Sequence, residues 1–126
     1  FQHAVLQELG YTFSTSTVPL FAYRYGPAFR KFGVLELPVS AMGSRPLRIL
    51  DSWTCFKAPN RRFGPQDYVR EGRLAADRFQ ASGVGLLNFY ADPSHIHDQP
   101  EFFAAVAQWA RIARPVTYQQ LLAELP

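Results

Sequence analysis

The sequence has little cysteine and no long apolar run. Cys55 is its one cysteine, which excludes an internal disulfide. Between Trp53 and Phe56 we expect Cys55 to be a small packing residue. No apolar stretch approaches the roughly 20 residues that a membrane-spanning helix needs, so no transmembrane segment is predicted. Phosphate loops of the G-x-G-x-x-G or G-K-S/T type and a G-x-S-x-G nucleophile elbow are also missing.

Strong or clustered charge is missing as well. The chain has 13 Lys and Arg against 10 Asp and Glu, a formal charge of +3. Its densest basic cluster is Lys57, Arg61 and Arg62, in a loop rich in Pro, Asn and Gly. That cluster is either a solvated loop or a patch for an anionic ligand. No basic stripe or recognition motif accompanies it, so nucleic-acid binding is not predicted.

Apolar and aromatic residues are plentiful. They make up 48% of the chain, with 11 Phe, 6 Tyr and 2 Trp, which excludes intrinsic disorder. A length of 126 residues suits one domain with its own core. Residues 1–10 resemble the second half of an amphipathic helix closed by Gly10. We therefore expect residues 1–126 to form a single α/β segment, the C-terminal portion of a longer domain.

The residue pattern predicts alternating strands and helices. Residues 11–18 and 34–40 are rich in strand-forming types, and residues 19–33 between them look irregular. Pro38 indicates that the second strand lies at an edge or ends nearby. After a long connection the pattern predicts a helix over 66–82 and then a strand over 84–91 that is buried on both faces. Two more helices are predicted: one from Asp98 or Gln99 to Ala113, and a short one capped by Thr117 and Gln120. This order favours a parallel or mixed sheet covered by helices.

The end of the strand predicted over 84–91 carries the candidate site. Asn88, Tyr90 and Asp92 alternate along it and share one face. Polar groups on a buried strand need partners. They therefore either form a satisfied network or line a ligand site.

Two histidines follow that strand. His95 and His97, with Asp92 and Asp98 beside them, could hold a zinc-like ion, or one histidine could act as acid and base. The H-x-H spacing is a weak signal, and a loop histidine that is only hydrogen-bonded is the default. Asp98 and Glu101 also have the spacing of a capping box.

Other polar positions allow more than one interpretation. Asp51 and Trp53 lie in the long connection, where they either stack on a sugar or take a catalytic role, or merely pack as loop residues. Glu36 points inward and would serve as an ion-pair partner for an arginine. His3 is expected to face solvent from the first helix.

Four segments together resemble the C-terminal half of the polysaccharide deacetylases, the NodB-homology carbohydrate esterases. They are the helix ending Leu9-Gly10, the stretch Tyr11-Thr-Phe-Ser-Thr-Ser16, the strand Val34-Leu-Glu-Leu-Pro-Val-Ser40, and the strand Gly85-Leu-Leu-Asn-Phe-Tyr-Ala-Asp-Pro93. The ending after Pro115-Val-Thr-Tyr118 is also similar.

The resemblance implies a fold and a chemistry. It implies part of a distorted (β/α) barrel, in an enzyme that removes acetyl groups from amino-sugar polymers with metal-activated water, a carboxylate base and a histidine acid. The implied divalent, zinc-like metal is held by an Asp-Asp strand end and an H-x-x-x-H motif, and neither occurs in this sequence. No metal ligands are therefore expected in this segment.

The acid position departs from the resembled pattern. Where the family has a histidine followed by proline, this chain has Asp92 before Pro93. The hypothesis assigns catalysis to Asp92 and His95 and binding of an acetylated glycan to Asn88, Tyr90, Asp51 and Trp53. Alternatives are a non-catalytic, degenerate barrel that binds glycans, or an unrelated α/β interaction domain.

Overall fold

The computed structural model describes residues 2–57, 64–82 and 85–125, apart from the side chains at 65, 79 and 82. Within them the chain is mixed α/β, as predicted. The elements are α1 (Gln2–Glu8), β1 (Phe13–Ser14), α2 (Pro19–Tyr25), β2 (Phe29–Lys31), β3 (Val34–Glu36), a π-helical turn (Trp53–Lys57), α3 (Pro65–Ser82), α4 (Pro93–Ile96), α5 (Pro100–Ile112) and α6 (Tyr118–Glu124). The prediction for Arg61 and Arg62 concerns residues outside those described.

A small mixed sheet has the order β1-β3-β2. β1 pairs with β3 in parallel, and β2 pairs with β3 in antiparallel fashion. β3 ends at Glu36, two residues before Pro38, which agrees with the proline prediction. The strand predicted over 11–18 is shorter than expected and covers only Phe13–Ser14.

The prediction that residues 19–33 are irregular is wrong. Pro19 stands in the first turn of α2, where its missing N–H costs nothing. β2 and β3 form a hairpin in which Lys31 pairs with Val34. The two residues between them, Phe32 and Gly33, have φ of 51° and 76°, which suits the tight turn of a hairpin. Phenylalanine is uncommon at positive φ, so Phe32 is a poor turn signal and this hairpin is not predicted.

The predicted environment of His3 is also wrong. His3 is buried, and its Nε2 lies 2.8 Å from Oε2 of Glu36, which is fully buried on β3. Oε1 of Glu36 accepts hydrogen bonds from the backbone N–H of Ser16 (3.0 Å) and from the N–H (3.0 Å) and hydroxyl (2.8 Å) of Thr17. A histidine and the loop after β1 thus take the place of the expected arginine.

Helices α3 and α5 pack against each other and supply half of the core cluster. The predicted helix over 66–82 is confirmed, with Pro65 as its first residue. Cys55 is buried, as predicted, and burial raises the pKa of its thiol to about 12. The core cluster comprises Met42, Leu50, Cys55, Phe56, Tyr68, Phe102, Ala105 and Trp109. Phe103 of α5 points away from this cluster and is exposed.

Helix ends follow the predicted signals only in part. The Thr117–Gln120 capping box forms at the start of α6, with the Thr117 N–H donating to Oε1 of Gln120 at 2.7 Å. The capping box expected from Asp98 and Glu101 does not form, because α5 begins one residue later, with Gln99 as N-cap.

The prediction of a strand over 84–91 is wrong for the described residues of that segment. Tyr90 forms one isolated parallel bridge with Asp51, and its side chain is 54% exposed. Two serine hydroxyls explain the broken pairing. Oγ of Ser40 accepts the Asn88 N–H and Oγ of Ser52 accepts the Asp92 N–H, both at 2.9 Å, where a regular ladder would use backbone carbonyls.

Candidate functional site

The connection after β3 and the segment before α4 meet through backbone bonds. The Ser52 N–H donates to the Tyr90 carbonyl at 3.1 Å, and the Tyr90 N–H donates to the Leu50 carbonyl at 3.4 Å. These bonds hold residues that lie about forty positions apart along the chain. They bring Asp51, Trp53, Tyr90, Asp92 and His95 of the predicted site into one region.

The centre of this region is a cluster of Ser52, Trp53, Asp92 and His95, here called the Trp53–His95 cluster. The indole of Trp53 is 52% exposed, and its centroid lies 5.6 Å from that of the His95 imidazole at an interplanar angle of 48°. Nδ1 of His95 lies 3.1 Å from Oγ of Ser52, which is fully buried. The imidazole is thus held on one side by a ring and on the other by a hydroxyl.

Ser52 can hold the imidazole in either charge state. Its Oγ has one proton and two acceptor positions, and the Asp92 N–H occupies one of the latter. When His95 is neutral, the hydroxyl can donate to Nδ1, which leaves the imidazole proton on Nε2. When His95 is charged, Nδ1–H can donate to the remaining acceptor position. Within the described residues Nε2 makes no hydrogen bond, so it is the ring atom available to a ligand.

Asp92 has a structural task. It is the N-cap of α4, and its Oδ1 accepts from the N–H (2.8 Å) and hydroxyl (2.6 Å) of Ser94. These two hydrogen bonds, and to a smaller extent the nearby His95, lower the pKa of the Asp92 carboxyl. Asp92 is therefore a stable anion near His95 rather than a proton donor.

Asp51 and Tyr90 adjoin the cluster. Oδ1 of Asp51 accepts the Thr54 N–H at 2.8 Å and so caps the π-helical turn that presents Trp53. Asp51 and Tyr90 are bridge partners. Tyr90 and Trp53 are the two exposed aromatic residues of this region, and their ring faces are available to a ligand.

Asn88 stands apart from the other predicted site residues. It is buried, and its Nδ2 donates to the carbonyls of Leu37 (2.8 Å) and Pro38 (3.3 Å). The Tyr118 hydroxyl donates to its Oδ1 at 3.1 Å. Asn88 thus belongs to a satisfied network that ties α6 to the residues after β3, which is the structural one of its two predicted roles.

His97 is exposed, and its Nδ1 lies 3.2 Å from the Ser94 carbonyl. Asp98 accepts from the Gln99 amide at 2.9 Å, which lowers the pKa of its carboxyl. No three His, Cys, Asp or Glu side chains among the described residues are grouped so that they could hold a metal ion. The side chains present here do not fit the divalent metal that the resemblance implies.

Sequence reasoning missed Ser52, the residue that orients His95. The two residues are separated by 43 positions, and no local motif links them. Serine is common in connections, so its type gave no signal. A usable hint was its place between Asp51 and Trp53, two residues that the sequence had singled out.

Two cavities lie outside the Trp53–His95 cluster. One, of about 710 Å³, runs between α3, α5 and α6, and Leu87, Trp109 and Leu121 are among its lining residues. The other, of about 250 Å³, lies beside α2, with Tyr23, Met42 and Arg78 in its wall. Trp53 is 52% exposed, so the Trp53–His95 cluster reaches the surface, where a polymer chain can approach it.

Comparison of the chain with family models, with curated proteins and with solved structures gives no match. Among the described helices, none has the length and apolar character needed to cross a membrane.

Proposed function

We propose that this chain is the C-terminal part of a polysaccharide deacetylase-like hydrolase and contributes the surface that binds an acetylated amino-sugar polymer. The observation that carries the proposal is the Trp53–His95 cluster, in which a half-exposed indole stands beside a histidine whose Nδ1 is held by a buried hydroxyl. An exposed aromatic face suits the apolar face of a sugar ring, and an oriented imidazole suits proton transfer.

The proposed fold is part of a distorted (β/α) barrel. Support comes from the parallel pairing of β1 with β3 and from the parallel bridge between Asp51 and Tyr90. Strand ends are where such folds bind ligands. Helices α3 and α5, packed together behind the connection, would belong to the outer layer of that barrel.

Within this proposal His95 is the acid. Removal of an N-acetyl group adds water to the amide carbonyl and breaks the C–N bond, and the leaving nitrogen must gain a proton. Nε2 of a charged His95 would donate it, while Ser52 holds Nδ1. Asp92 would act indirectly, because its backbone N–H donates to Oγ of Ser52 and so fixes the hydroxyl that holds Nδ1 of His95. Metal chemistry implied by the resemblance would need ligands from outside the described residues.

A direct test measures binding of an N-acetylglucosamine oligomer by calorimetry. Trp53→Ala should weaken binding by on the order of tenfold or more, since a stacked aromatic residue is worth about 1–2 kcal/mol. Phe103→Ala is the matched control, because Phe103 is 53% exposed on α5, away from the cluster. If both variants bind the oligomer with the same affinity as the parent chain, the proposal that this surface binds the glycan is rejected.

A second experiment separates the enzyme from a glycan-binding protein without catalysis. Because the proposed metal ligands lie outside this segment, acetate release from an acetylated amino-sugar polymer is measured with added zinc for the longer protein that the proposal implies and for its His95→Gln variant. The hydrolase proposal is supported if acetate is released, if His95→Gln abolishes the release, and if that variant still binds the glycan with unchanged affinity. The engagement of Asp92 as a helix cap favours the non-catalytic alternative. Glycan binding that depends on Trp53 without acetate release would establish that alternative.

A further inference from the structure

Helix α2 and the β2–β3 hairpin present apolar side chains to solvent instead of burying them. Leu20, Tyr25 and Phe32 are each more than half exposed, and Val18 and Phe21 are more than one third exposed. Exposed apolar residues that occur singly are ordinary. This group lies within the 15 positions from Val18 to Phe32, in and beside α2 and the hairpin, and apolar patches of this kind mark interaction surfaces.

Three rings give the surface a fixed shape. The ring centroids of Phe21 and Tyr25 lie 6.1 Å apart, and those of Tyr25 and Phe29 lie 5.1 Å apart. This row, here called the aromatic ledge (Phe21, Tyr25 and Phe29), joins α2 to β2. Because each ring packs on the next, the ledge is ordered before any partner arrives.

The charged residues of this stretch of chain have one sign. The guanidinium of Arg24 lies 5.4 Å from the centroid of the Tyr25 ring, and Lys31 is exposed on β2. Between Glu8 and Glu36 the sequence contains Arg24, Arg30 and Lys31 and no Asp or Glu. The surface is thus cationic as well as apolar, and its partner should be anionic and apolar.

We propose that the aromatic ledge, with Leu20 and Phe32 beside it, binds the surface of an anionic lipid membrane. Apolar and aromatic side chains enter the boundary between headgroups and acyl chains, while Arg and Lys meet anionic headgroups. A hydrated polyanion such as a nucleic acid would satisfy the cations and rings but leave Leu20 and Val18 exposed. A lipid surface satisfies both kinds of side chain. The inference does not depend on the glycan proposal, which uses other residues.

The test is co-sedimentation of the chain with vesicles of phosphatidylcholine alone and of phosphatidylcholine mixed with phosphatidylserine. Binding to the mixed vesicles should be tighter by on the order of tenfold, because the basic residues favour an anionic surface. Raising the salt concentration should weaken it, since the contacts are exposed and screened. Equal binding to both vesicle types, or none to either, would overturn the proposal.

Variants distinguish specific membrane binding by the aromatic ledge from unspecific adsorption. Leu20→Ser should lower affinity for the mixed vesicles by about threefold to tenfold. Leu47→Ser, at a residue that is also strongly exposed but lies in the connection after β3, should leave it unchanged. The pair Arg24→Gln and Lys31→Gln should abolish the preference for phosphatidylserine, whereas Arg111→Gln on α5 should keep it.

Two further outcomes count against the proposal. Equal losses in Leu20→Ser and Leu47→Ser would indicate unspecific adsorption. If the chain binds no vesicles but forms a dimer that Leu20→Ser disrupts, the aromatic ledge is an interface with a second copy of the chain. Trp53→Ala should bind vesicles like the parent chain, so the glycan and lipid proposals can fail separately.

Discussion

At the scale of single residues, the fold surrounds one buried carboxylate of the sheet with hydrogen bonds. The Glu36 carboxylate is fully buried and accepts four hydrogen bonds, from His3, Ser16 and Thr17. Burial of an anion is costly unless such partners offset the lost hydration. Glu36 thereby ties α1, the loop after β1 and β3 together. It is a structural residue, although a buried Glu beside a His resembles a catalytic pair.

Glu36→Gln should therefore destabilise the fold. A glutamine of the same shape replaces the carboxylate with a neutral amide, so the Ser16 and Thr17 donors lose a charged acceptor. The expected loss is about 1–3 kcal/mol in the free energy of unfolding, measured by urea denaturation. Glu8→Gln, at an exposed position of α1, should change it little. A loss of similar size in both variants would contradict the assignment.

The Asp92 carboxylate should make the free energy of unfolding depend on pH in the acidic range. Its folded pKa lies below the usual value of 3.8 because Ser94 donates two hydrogen bonds to the carboxylate. The stabilisation is present above the unfolded pKa and is lost as the pH falls through the folded pKa. Asp92→Asn can still accept a hydrogen bond but does not titrate, so its stability should fall less between about pH 5 and pH 2.

Unfolding curves across that pH range check the Asp92 prediction. Asp77→Asn is the control, because Asp77 is exposed on α3 and makes no hydrogen bond within the described residues. The control should follow the parent chain. If Asp92→Asn also follows the parent chain, the Asp92–Ser94 cap does not contribute to acid stability.

Among the elements, α3 and α5 depend on a close approach at one glycine. A Cβ at Gly72 would lie 1.7 Å from the Cζ2 atom of Trp109, which is too close for any side chain. Glycine is unfavourable inside a helix by about 1 kcal/mol relative to alanine, so its presence here indicates that packing outweighs helix propensity. The indole of Trp109 fills the space that a side chain at 72 would need.

Gly72→Ala should destabilise the protein despite its better helix propensity. Overpacking of a core contact costs about 1–3 kcal/mol, which exceeds the gain of about 1 kcal/mol from alanine. Thermal unfolding followed by circular dichroism measures the difference. Gly64→Ala serves as control, since its nearest neighbour atom would lie at 3.8 Å. A Gly72→Ala protein that is more stable than the parent would show that α3 and α5 do not pack as described.

Elements whose signals are local could be predicted from the sequence. α3 follows Pro65 and α6 has the Thr117–Gln120 capping box, and both form as expected. The β2–β3 hairpin and the broken strand at 84–91 could not be predicted. The hairpin has Phe32 at a positive φ, and the strand is interrupted by hydroxyls of Ser40 and Ser52 from distant parts of the chain. Neither feature leaves a periodic pattern.

The candidate site divides in the same way. Four site residues could be predicted from the sequence, because they are polar or aromatic and lie in the long connection or near the end of a predicted element: Asp51, Trp53, Tyr90 and His95. Their mutual placement, and the role of Ser52, follow from tertiary contacts that a single sequence does not encode locally. Asn88 was assigned to glycan binding, yet its amide is fully used in holding Leu37, Pro38 and Tyr118.

For the molecule as a whole, the two proposed surfaces are made from different segments. The glycan surface comes from the connection after β3 and the segment around α4. The lipid surface comes from α2 and the hairpin. A protein with both would act on or hold a glycan while resting on a membrane. Each surface is tested by variants that leave the other intact.

The most direct test of the central claim follows the three histidine imidazoles by NMR while an N-acetylglucosamine oligomer is added. His3 is buried against Glu36 and His97 is bonded to Ser94, so both are internal references. The account predicts that the His95 resonances shift and saturate while those of His3 and His97 stay in place, and that Trp53→Ala removes the effect. Unchanged His95 resonances at saturating oligomer, or equal shifts at all three histidines, would contradict it.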